Sequence, residues 1–144
     1  MTSGLISART MRPIAAVLSD RACLVGVPCL QDQRGVLRPF DFSELPFRPQ
    51  RMFVVSDVPA GTVHGEYAQR TALQMLVCLS GVVEVELAYR DQTATVTLDS
   101  MDKGLVISPK VWAQQTYVAP GSQLLVLASE AYDEDDYIYR DIVE

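Results

Sequence analysis

Short apolar stretches separated by turn residues recur along the chain, and helical periodicity is scarce. Val83, Val85 and Leu87 alternate with other side chains of mixed polarity, which is typical of a strand with one buried face. The same reasoning predicts strands near residues 23–27, 36–38, 51–56, 63–69, 74–79, 82–89, 93–98, 104–108, 114–118 and 123–128. A series of this kind favours a β-sandwich or a β-barrel.

Three further segments carry specific expectations. Residues 125–127 form a continuous apolar run, which indicates a central strand, and residues 31–35 form a polar turn. The tail at residues 132–139 is predicted to form a short helical turn or a strap at the edge of a sheet. Neither an internal repeat nor a linker is evident, so a single domain is the simplest organisation.

Composition excludes several classes of function. The 144 residues are 49% hydrophobic and 21% charged, as in a globular domain with a real core. The net charge is −6 and the chain has no basic run, which argues against a nucleic-acid partner, although a nucleotide-sugar needs only a local arginine pocket. The longest apolar runs have the length of strands, so no membrane partner is expected.

Cysteine usage and the amino terminus indicate a reduced, cytoplasmic protein. Cys23, Cys29 and Cys78 lack the spacing of a disulfide framework or a zinc site, and Cys78 is predicted to be a core residue. Residues 1–21 are interpreted as an amino-terminal extension, either disordered or in contact with a second subunit, and residues 22–144 as the domain. The extension lacks the features of a signal peptide, while a transit peptide stays open as an alternative.

The segment at residues 61–81 has the spacing of a known motif. It resembles the first motif of the cupin superfamily, with Gly61 and Gly81 at the two glycine positions. The metal-ligand positions of that motif, two histidines and a glutamate, fall on Tyr67, Gln69 and Gln74. The spacing of a cupin site is therefore present without the usual side chains.

Further segments resemble, in the same order, one cupin family, the nucleotide-sugar 3,4-ketoisomerases that act on dTDP-4-keto-6-deoxyglucose. They are residues 32–37, 51–57, 73–81, 98–112 and 126–138. The resemblance implies an all-β cupin (RmlC-like) jelly roll in a single domain and a homodimer without a metal or another cofactor. It also implies a role in deoxysugar biosynthesis for a surface polysaccharide or a glycosylated metabolite.

The chain departs from that family at the catalytic pattern. The family has Arg-Gly-Phe-His-Ala-His where this chain reads His-Gly-Glu-Tyr-Ala-Gln from residue 64, so both family histidines are replaced. The isomerisation needs a group that changes protonation near neutral pH, and an amide such as Gln69 does not titrate. One hypothesis is a rewired site with His64 or Glu66 as the base and Tyr67 as the acid. Strand alternation places Tyr67 and Gln69 on one face and Glu66 on the other. Tyr67 and Gln69 are therefore expected to line the pocket, with His64 at its mouth.

Two alternatives stay open at this point. The chain is either a binding or partner subunit that keeps a sugar-nucleotide pocket without catalysis, or another enzyme on the same fold, such as an epimerase or a cyclase-like protein that uses Tyr67 as acid. No transition metal is expected, because one histidine cannot supply the two or three that iron cupins use.

The remaining candidate substrate-binding residues each have a structural alternative. Arginine side chains match a diphosphate, tryptophan stacks on a base or sugar, and amides bond to hydroxyls, but such residues also fix turns, pack in cores or satisfy backbone groups. The resemblance places an aromatic residue that reaches the pocket, commonly tyrosine, at the position of Phe53. The candidates are Arg34, Arg51, Phe53, Gln69, Arg70, Gln74, Trp112 and Gln114.

Overall fold

The computed structural model describes residues 11–139, and these residues form strands joined by short turns. The strands are β1 (Arg12–Val17), β2 (Ala22–Gly26), β3 (Leu30–Asp32), β4 (Gly35–Leu37), β5 (Arg51–Val55), β6 (Thr62–Gln69), β7 (Gln74–Ser80), β8 (Val83–Tyr89), β9 (Gln92–Leu98), β10 (Lys103–Ile107), β11 (Trp112–Tyr117), β12 (Gln123–Ala128) and β13 (Tyr137–Tyr139). Two single-turn 3-10 helices, Phe42–Glu44 and Glu134–Asp136, are the helical elements of the described part.

The strands form two facing antiparallel sheets. The six-stranded sheet has the order β1-β2-β10-β7-β12-β5, the five-stranded sheet has the order β13-β6-β11-β8-β9, and β3 and β4 form a separate hairpin. Sequence neighbours such as β6 and β7 lie in different sheets, so the chain crosses repeatedly from one layer to the other. This is a jelly-roll arrangement, and the predicted all-β class is confirmed.

The main core lies between the two sheets. Val83, Val85 and Leu87 of β8 are almost fully buried there, opposite Leu76 and Cys78 of β7. The alternation along β8 therefore has the predicted cause, since one face packs inward and the other faces solvent. The prediction that Cys78 is a core residue is confirmed, because its side chain is fully buried.

A second apolar cluster covers the outer face of the six-stranded sheet. Met75 and Val77 of β7 and Leu125 and Leu127 of β12 lie there, and the segment at residues 40–47 packs over them. Both faces of β7 and β12 are thus buried, which explains why these strands are continuous apolar runs in an antiparallel sheet. The prediction that residues 125–127 lie in a central strand is confirmed, because β12 has neighbours on both sides.

All the predicted strands occur within about two residues of their expected bounds, and β1, β3 and β13 are additional. The strand β1 shows no inward alternation, since nearly all its residues are exposed. It pairs with β2, so part of the predicted amino-terminal extension joins the six-stranded sheet, while residues 1–10 lie outside the described residues. The tail contains both expected features, a helical turn followed by an edge strand, β13.

The second motif glycine closes the turn between β7 and β8. Gly81 has a φ of +78°, and a Cβ atom there would lie 2.7 Å from the Cα atom of Ser122. Ser122 is fully buried, accepts a hydrogen bond from Val82 N at 3.0 Å and donates to Ala119 O at 2.7 Å. A side chain at residue 81 would therefore push two turns apart. Within residues 11–139, no helix is long and apolar enough to cross a membrane.

Candidate functional site

A cavity of about 150 Å³ opens between the two sheets. Its apolar wall comes from the inward faces of the six-stranded sheet, and its polar groups come mainly from β6 and β11. The lining residues are Phe53, Val55, His64, Gly65, Tyr67, Gln74, Leu76, Gln115, Tyr117, Leu124 and Val126. A cavity with an apolar body and a few convergent polar groups is the usual form of a small-molecule site.

A β-bulge in β6 brings His64 and Tyr67 to the same cavity. In an unbroken strand these two residues would point to opposite faces, because they are three apart. Tyr67 pairs with Ala113 and Gly65 pairs with the next residue, Gln114, so Glu66 is the extra residue. Beyond the bulge His64 pairs with Gln115, which lies two residues from Ala113 and therefore on the same face. Glu66 adopts a φ of +67° and is exposed outside the cavity lining.

The glycine at residue 65 is required by the close approach of Gln115. Gly65 has a φ of +90°, and a Cβ atom there would lie 3.0 Å from Gln115 Oε1 and 3.1 Å from the carbonyl oxygen of Ala113. The Gln115 amide is thus packed against a backbone that only glycine leaves open. This contact fixes the Gln115 amide, with its Nε2 donor and Oε1 acceptor, at the cavity wall beside His64.

The hydroxyl of Tyr67 stays protonated over the ordinary pH range. Burial raises the pKa of Tyr67 above its usual value, and the neighbouring Tyr137 raises it further through charge and a hydrogen bond. The charge of Arg51 and a hydrogen bond with Gln74 act in the opposite direction and are smaller. Tyr67 is therefore suited to donate a hydrogen bond or a proton rather than to accept a proton.

Tyr117 lines the cavity and carries an unsatisfied hydroxyl. The side chain is fully buried, and within the described part of the chain its hydroxyl has no hydrogen-bond partner. Burial raises the pKa of Tyr117 to about 12, with a smaller contribution from Cys78. Its ring lies edge-on to His64, with centroids 5.4 Å apart, and so forms a wall behind the imidazole. The sequence reasoning missed Tyr117.

Arg51 lies beside the cavity among aromatic rings. Its Cζ atom lies 4.7 Å from the ring centroid of Phe53 and 4.9 Å from that of Tyr132, and its Nη1 atom donates to the Tyr137 hydroxyl at 3.3 Å. Between residues 11 and 139 the ion pairs are Arg34 with Asp32 and Arg38 with Asp102, so Arg51 has no carboxylate partner there. Its charge is held in place by ring faces and a phenol, which leaves it available to an anionic ligand.

Of the residues singled out from the sequence, His64, Tyr67, Phe53 and Gln74 line the cavity, and Arg51 adjoins it through Phe53. Phe53 is a cavity residue because Arg51, Phe53 and Val55 alternate on β5 with the exposed Met52 and Val54.

The other candidates lie outside the cavity lining. Arg34 is highly exposed in the β3–β4 turn, where it pairs with Asp32 at 2.7 Å and holds the pKa of that carboxyl below its usual value. Arg70 is exposed after β6 and donates through Nε to Asp135 O at 3.3 Å. Gln69 and Trp112 are buried, with 5% and 7% of their surface exposed. Trp112 is thus packed in the core, which was the structural alternative to a role in ligand binding.

Gln114 was predicted as a ligand-binding residue, but the structure places its neighbour Gln115 in the cavity. Gln114 lies on the outer face of β11, where its Nε2 atom donates to Glu86 Oε2 at 3.3 Å. The physical reason is that successive side chains of a strand point to opposite faces of the sheet, so an error of one residue exchanges an outward side chain for an inward one. The inward alternation of Ala113, Gln115 and Tyr117 was the available signal, and the prediction started that strand two residues late.

The described residues contain no group of three or more His, Cys, Asp or Glu side chains arranged to hold a metal ion. The chemistry available in the cavity is that of one imidazole, two phenols and two amides, with a guanidinium beside it. Such a set can move protons and bind oxygen atoms.

The chain is similar to known proteins over most of its length. The family described as "FdtA: WxcM-like, C-terminal" matches residues 21–143. The TDP-4-oxo-6-deoxy-α-D-glucose-3,4-oxoisomerase of Aneurinibacillus thermoaerophilus is 34% identical over 108 residues, which cover 74% of this chain and 78% of that protein.

Two solved structures of one enzyme are similar throughout. The sugar 3,4-ketoisomerase QdtA of Thermoanaerobacterium thermosaccharolyticum, in complex with TDP, is 32% identical with a TM-score of 0.82 over 85% of this chain and 91% of that chain. A point variant of QdtA in complex with TDP-4-keto-6-deoxyglucose is 32% identical with a TM-score of 0.80 over 84% and 88%.

These neighbours confirm the predicted fold, since the similar structures are cupin (RmlC-like) sugar isomerases and epimerases. They also confirm the family resemblance. The chain therefore belongs to the FdtA family (WxcM-like, C-terminal), and its homologues and structural neighbours are TDP-sugar 3,4-ketoisomerases.

Proposed function

We propose that this protein is a nucleotide-sugar 3,4-ketoisomerase that acts on a dTDP-linked 4-keto-6-deoxyhexose in deoxysugar biosynthesis. The observation that carries the proposal is the convergence of His64 and Tyr67 on one cavity, through the β6 bulge. The relatives that act on such sugars support the substrate class.

In the proposed reaction His64 is the base and Tyr67 is the acid. His64 removes the proton from C3, the electrons of that bond form the C3–C4 double bond of an enediolate, and the C4 carbonyl oxygen takes the negative charge. The proton of the C3 hydroxyl then passes to the C4 oxygen, and Tyr67 donates its proton to the C4 carbon as the carbonyl forms at C3. Imidazole is a common general base and His64 brings one to the cavity, while the raised pKa of Tyr67 keeps its proton in place until it is needed. Glu66 is left out of this assignment, because it is exposed on the bulge and lies outside the cavity lining.

The binding roles follow from the same positions. Arg51 is proposed to bind the diphosphate, since its guanidinium has no carboxylate partner in the described part and lies beside the cavity. Gln74 and Gln115 line the cavity and are proposed to bond to sugar oxygens. We assign no binding role to Arg34, because its guanidinium already donates hydrogen bonds to the Asp32 carboxylate.

A homodimer and a cytoplasmic location are part of the proposal. On the edge strand β5, Met52 and Val54 are 65% and 47% exposed, and they continue the outward apolar face of Leu125 and Leu127. A second copy of the chain on this edge would cover both residues and protect the strand from other pairing. The free cysteines Cys23, Cys29 and Cys78 are consistent with a reducing compartment.

The test is proton NMR of dTDP-4-keto-6-deoxyglucose in D2O with the purified protein. The expected result is a 3-keto product with deuterium at C4. Loss of this product with His64→Ala, and a fall of about 100-fold or more with Tyr67→Phe, would support the two roles. The control is Tyr139→Phe, which removes the hydroxyl of an exposed tyrosine.

Other outcomes separate the alternatives. Binding of dTDP without deuterium in the sugar would identify a binding subunit, and deuterium without movement of the carbonyl would identify an epimerase. Full activity of both the His64→Ala and the Tyr67→Phe variants would end the assignment of these residues.

A further inference from the structure

The hydroxyl of Tyr67 belongs to a hydrogen-bonded set assembled from distant parts of the chain. Gln74 of β7 and Tyr137 of β13 both bond to Tyr67, and Arg51 of β5 donates to the Tyr137 hydroxyl at 3.3 Å. The Tyr67 and Tyr137 rings are in contact, with centroids 4.4 Å apart. The carboxyl-terminal segment thus reaches the group that donates the proton in the proposed reaction.

We propose that Tyr137 is a positioning residue for Tyr67, so that the carboxyl-terminal strand β13 completes the active site. This inference rests on the proposed function, in which Tyr67 is the acid. In this role the Tyr137 hydroxyl fixes the direction of the Tyr67 phenol and links it to the charge of Arg51.

The attachment of the carboxyl-terminal segment does not depend on the Tyr137 hydroxyl. The Asp136 carboxylate accepts hydrogen bonds from Thr71 N at 3.0 Å, Thr71 Oγ1 at 2.8 Å and Ala72 N at 3.3 Å. The β13 backbone pairs with β6, with Tyr137 opposite Gln69 and Tyr139 opposite Tyr67. Since these contacts already anchor the strand, the hydroxyl of Tyr137 is free to serve Tyr67.

The set also matches the charge that the reaction would create. When Tyr67 gives its proton to C4, it becomes a phenolate at a half-buried position between the two sheets. The Gln74 amide donates to that oxygen, the Tyr137 hydroxyl can rotate to donate as well, and the Arg51 guanidinium supplies a positive charge through Tyr137. A proton from solvent, passed on through Tyr137, then restores Tyr67, and His64 releases to solvent the proton it took from C3.

The test compares Tyr137→Phe with Tyr139→Phe. Both changes keep an aromatic ring in β13, and the Tyr139 ring also lies near Tyr67, with centroids 6.4 Å apart. The Tyr139 side chain is 53% exposed, and its hydroxyl is not among the groups that shift the pKa of Tyr67. For Tyr137→Phe we expect kcat to fall about 10-fold or more, with KM and the affinity for dTDP changed less than about threefold. For Tyr139→Phe we expect both constants at the wild-type value.

A second measurement does not require turnover. In protein labelled with 13C at tyrosine Cζ, the Tyr67 resonance is assigned by its loss in Tyr67→Phe and then titrated with pH. Tyr137→Phe should bring the titration of Tyr67 closer to that of an ordinary tyrosine, because one of the causes that raise its pKa is removed. Tyr139→Phe should leave the titration unchanged.

The outcomes separate the inference from the proposed function. An active wild-type enzyme with a fully active Tyr137→Phe variant and an unchanged Tyr67 titration overturns the inference and leaves the function standing. An inactive wild-type protein whose Tyr67 titration moves in Tyr137→Phe overturns the function and leaves the contact between the two phenols standing. A rise in KM at unchanged kcat would make Tyr137 a binding residue and would also overturn the inference.

Discussion

At the scale of single residues, the cavity contains one tyrosine whose hydroxyl has hydrogen-bond partners and one whose hydroxyl has none among the residues that the structure describes. Tyr67 has hydrogen-bond partners on both sides, whereas the buried hydroxyl of Tyr117 has none within residues 11–139. A buried hydroxyl without a partner costs about 1–3 kcal/mol of stability. Tyr117 thus retains a polar atom at a position where an apolar ring would pack equally well.

Replacement of Tyr117 by phenylalanine is expected to stabilise the ligand-free protein. The change removes the unsatisfied hydroxyl and keeps the ring against His64, so we expect a gain of about 1 kcal/mol, or a rise in Tm of roughly 4 °C for a chain of this size. Differential scanning calorimetry measures the shift, and Tyr139→Phe at an exposed position should stay within about 1 °C. A lower Tm for Tyr117→Phe would mean that the hydroxyl has a partner such as a buried water.

At the scale of elements, two local deviations from regular strands decide the site. The bulge at Glu66 turns His64 toward Tyr67, and the tight turn at Gly81 holds the ends of β7 and β8 against Ser122. Both deviations lie in the segment that has cupin motif spacing. The spacing of that motif therefore has a structural meaning even where its metal ligands are replaced.

Gly81→Ala and Gly121→Ala form a matched pair for the turn. Their φ angles are +78° and +74°, so the backbone strain of an alanine is nearly the same, but a Cβ atom at Gly121 meets nothing within 4 Å. We expect Gly81→Ala to be less stable than Gly121→Ala by about 1–3 kcal/mol, because it also forces Ser122 away. Urea unfolding at equilibrium measures the free energy of unfolding of both variants. Equal losses of stability would show that the turns at Gly81 and Ser122 can move apart without cost.

At the scale of the whole molecule, apolar side chains are buried both between the two sheets and on the outer face of the six-stranded sheet. The core between the sheets leaves room for the cavity, while residues 40–47 pack over the outer face of the six-stranded sheet at β7 and β12. The exposed Met52 and Val54 lie beside this covered region, on the edge strand β5.

The proposed dimer can be tested at this edge. Val54→Lys places a charge where the second copy would pack, so we expect the wild type at twice the chain mass of 15.9 kDa and the variant near a single mass. Size-exclusion chromatography with light scattering distinguishes the two. Val63→Lys on the other sheet is the control, since Val63 is also an exposed strand valine. A dimeric Val54→Lys variant would place the interface elsewhere.

Alkaline pH should destabilise the whole fold through its buried phenols. The folded-state pKa values of Tyr67 and Tyr117 are raised, that of Tyr117 to about 12, above the value near 10 of an unfolded tyrosine. The folded state therefore holds these protons more tightly, and their stabilising contribution is complete below pH 10 and is lost as the pH rises above it. Each tyrosine contributes a slope of about 1.4 kcal/mol per pH unit in that window.

Urea unfolding between pH 8 and pH 11.5 measures this slope. The double variant Tyr67→Phe with Tyr117→Phe should lose stability less steeply above pH 10 than the wild type. Parallel curves for the two proteins would contradict the raised pKa values. The comparison needs no substrate, so it is independent of the proposed reaction.

The amino-acid sequence by itself determined the strand series, the buried position of Cys78, the cupin spacing and the family. Side-chain period and turn residues are local, so the strand positions followed from alternation and from the continuous runs in β7 and β12. Four cavity-lining residues, His64, Tyr67, Phe53 and Gln74, were found from the motif spacing and the family resemblance.

Only the tertiary structure decided which side chains share the cavity. The bulge at Glu66 reversed the face of His64, one residue of register exchanged Gln114 for Gln115, and the pairing of β13 with β6 brought Tyr137 to Tyr67. Each depends on hydrogen bonds between strands that are far apart in sequence, and a local pattern carries no information on the partner of an edge strand. The physical reason is that strand parity follows from the neighbouring strand as much as from the residues themselves.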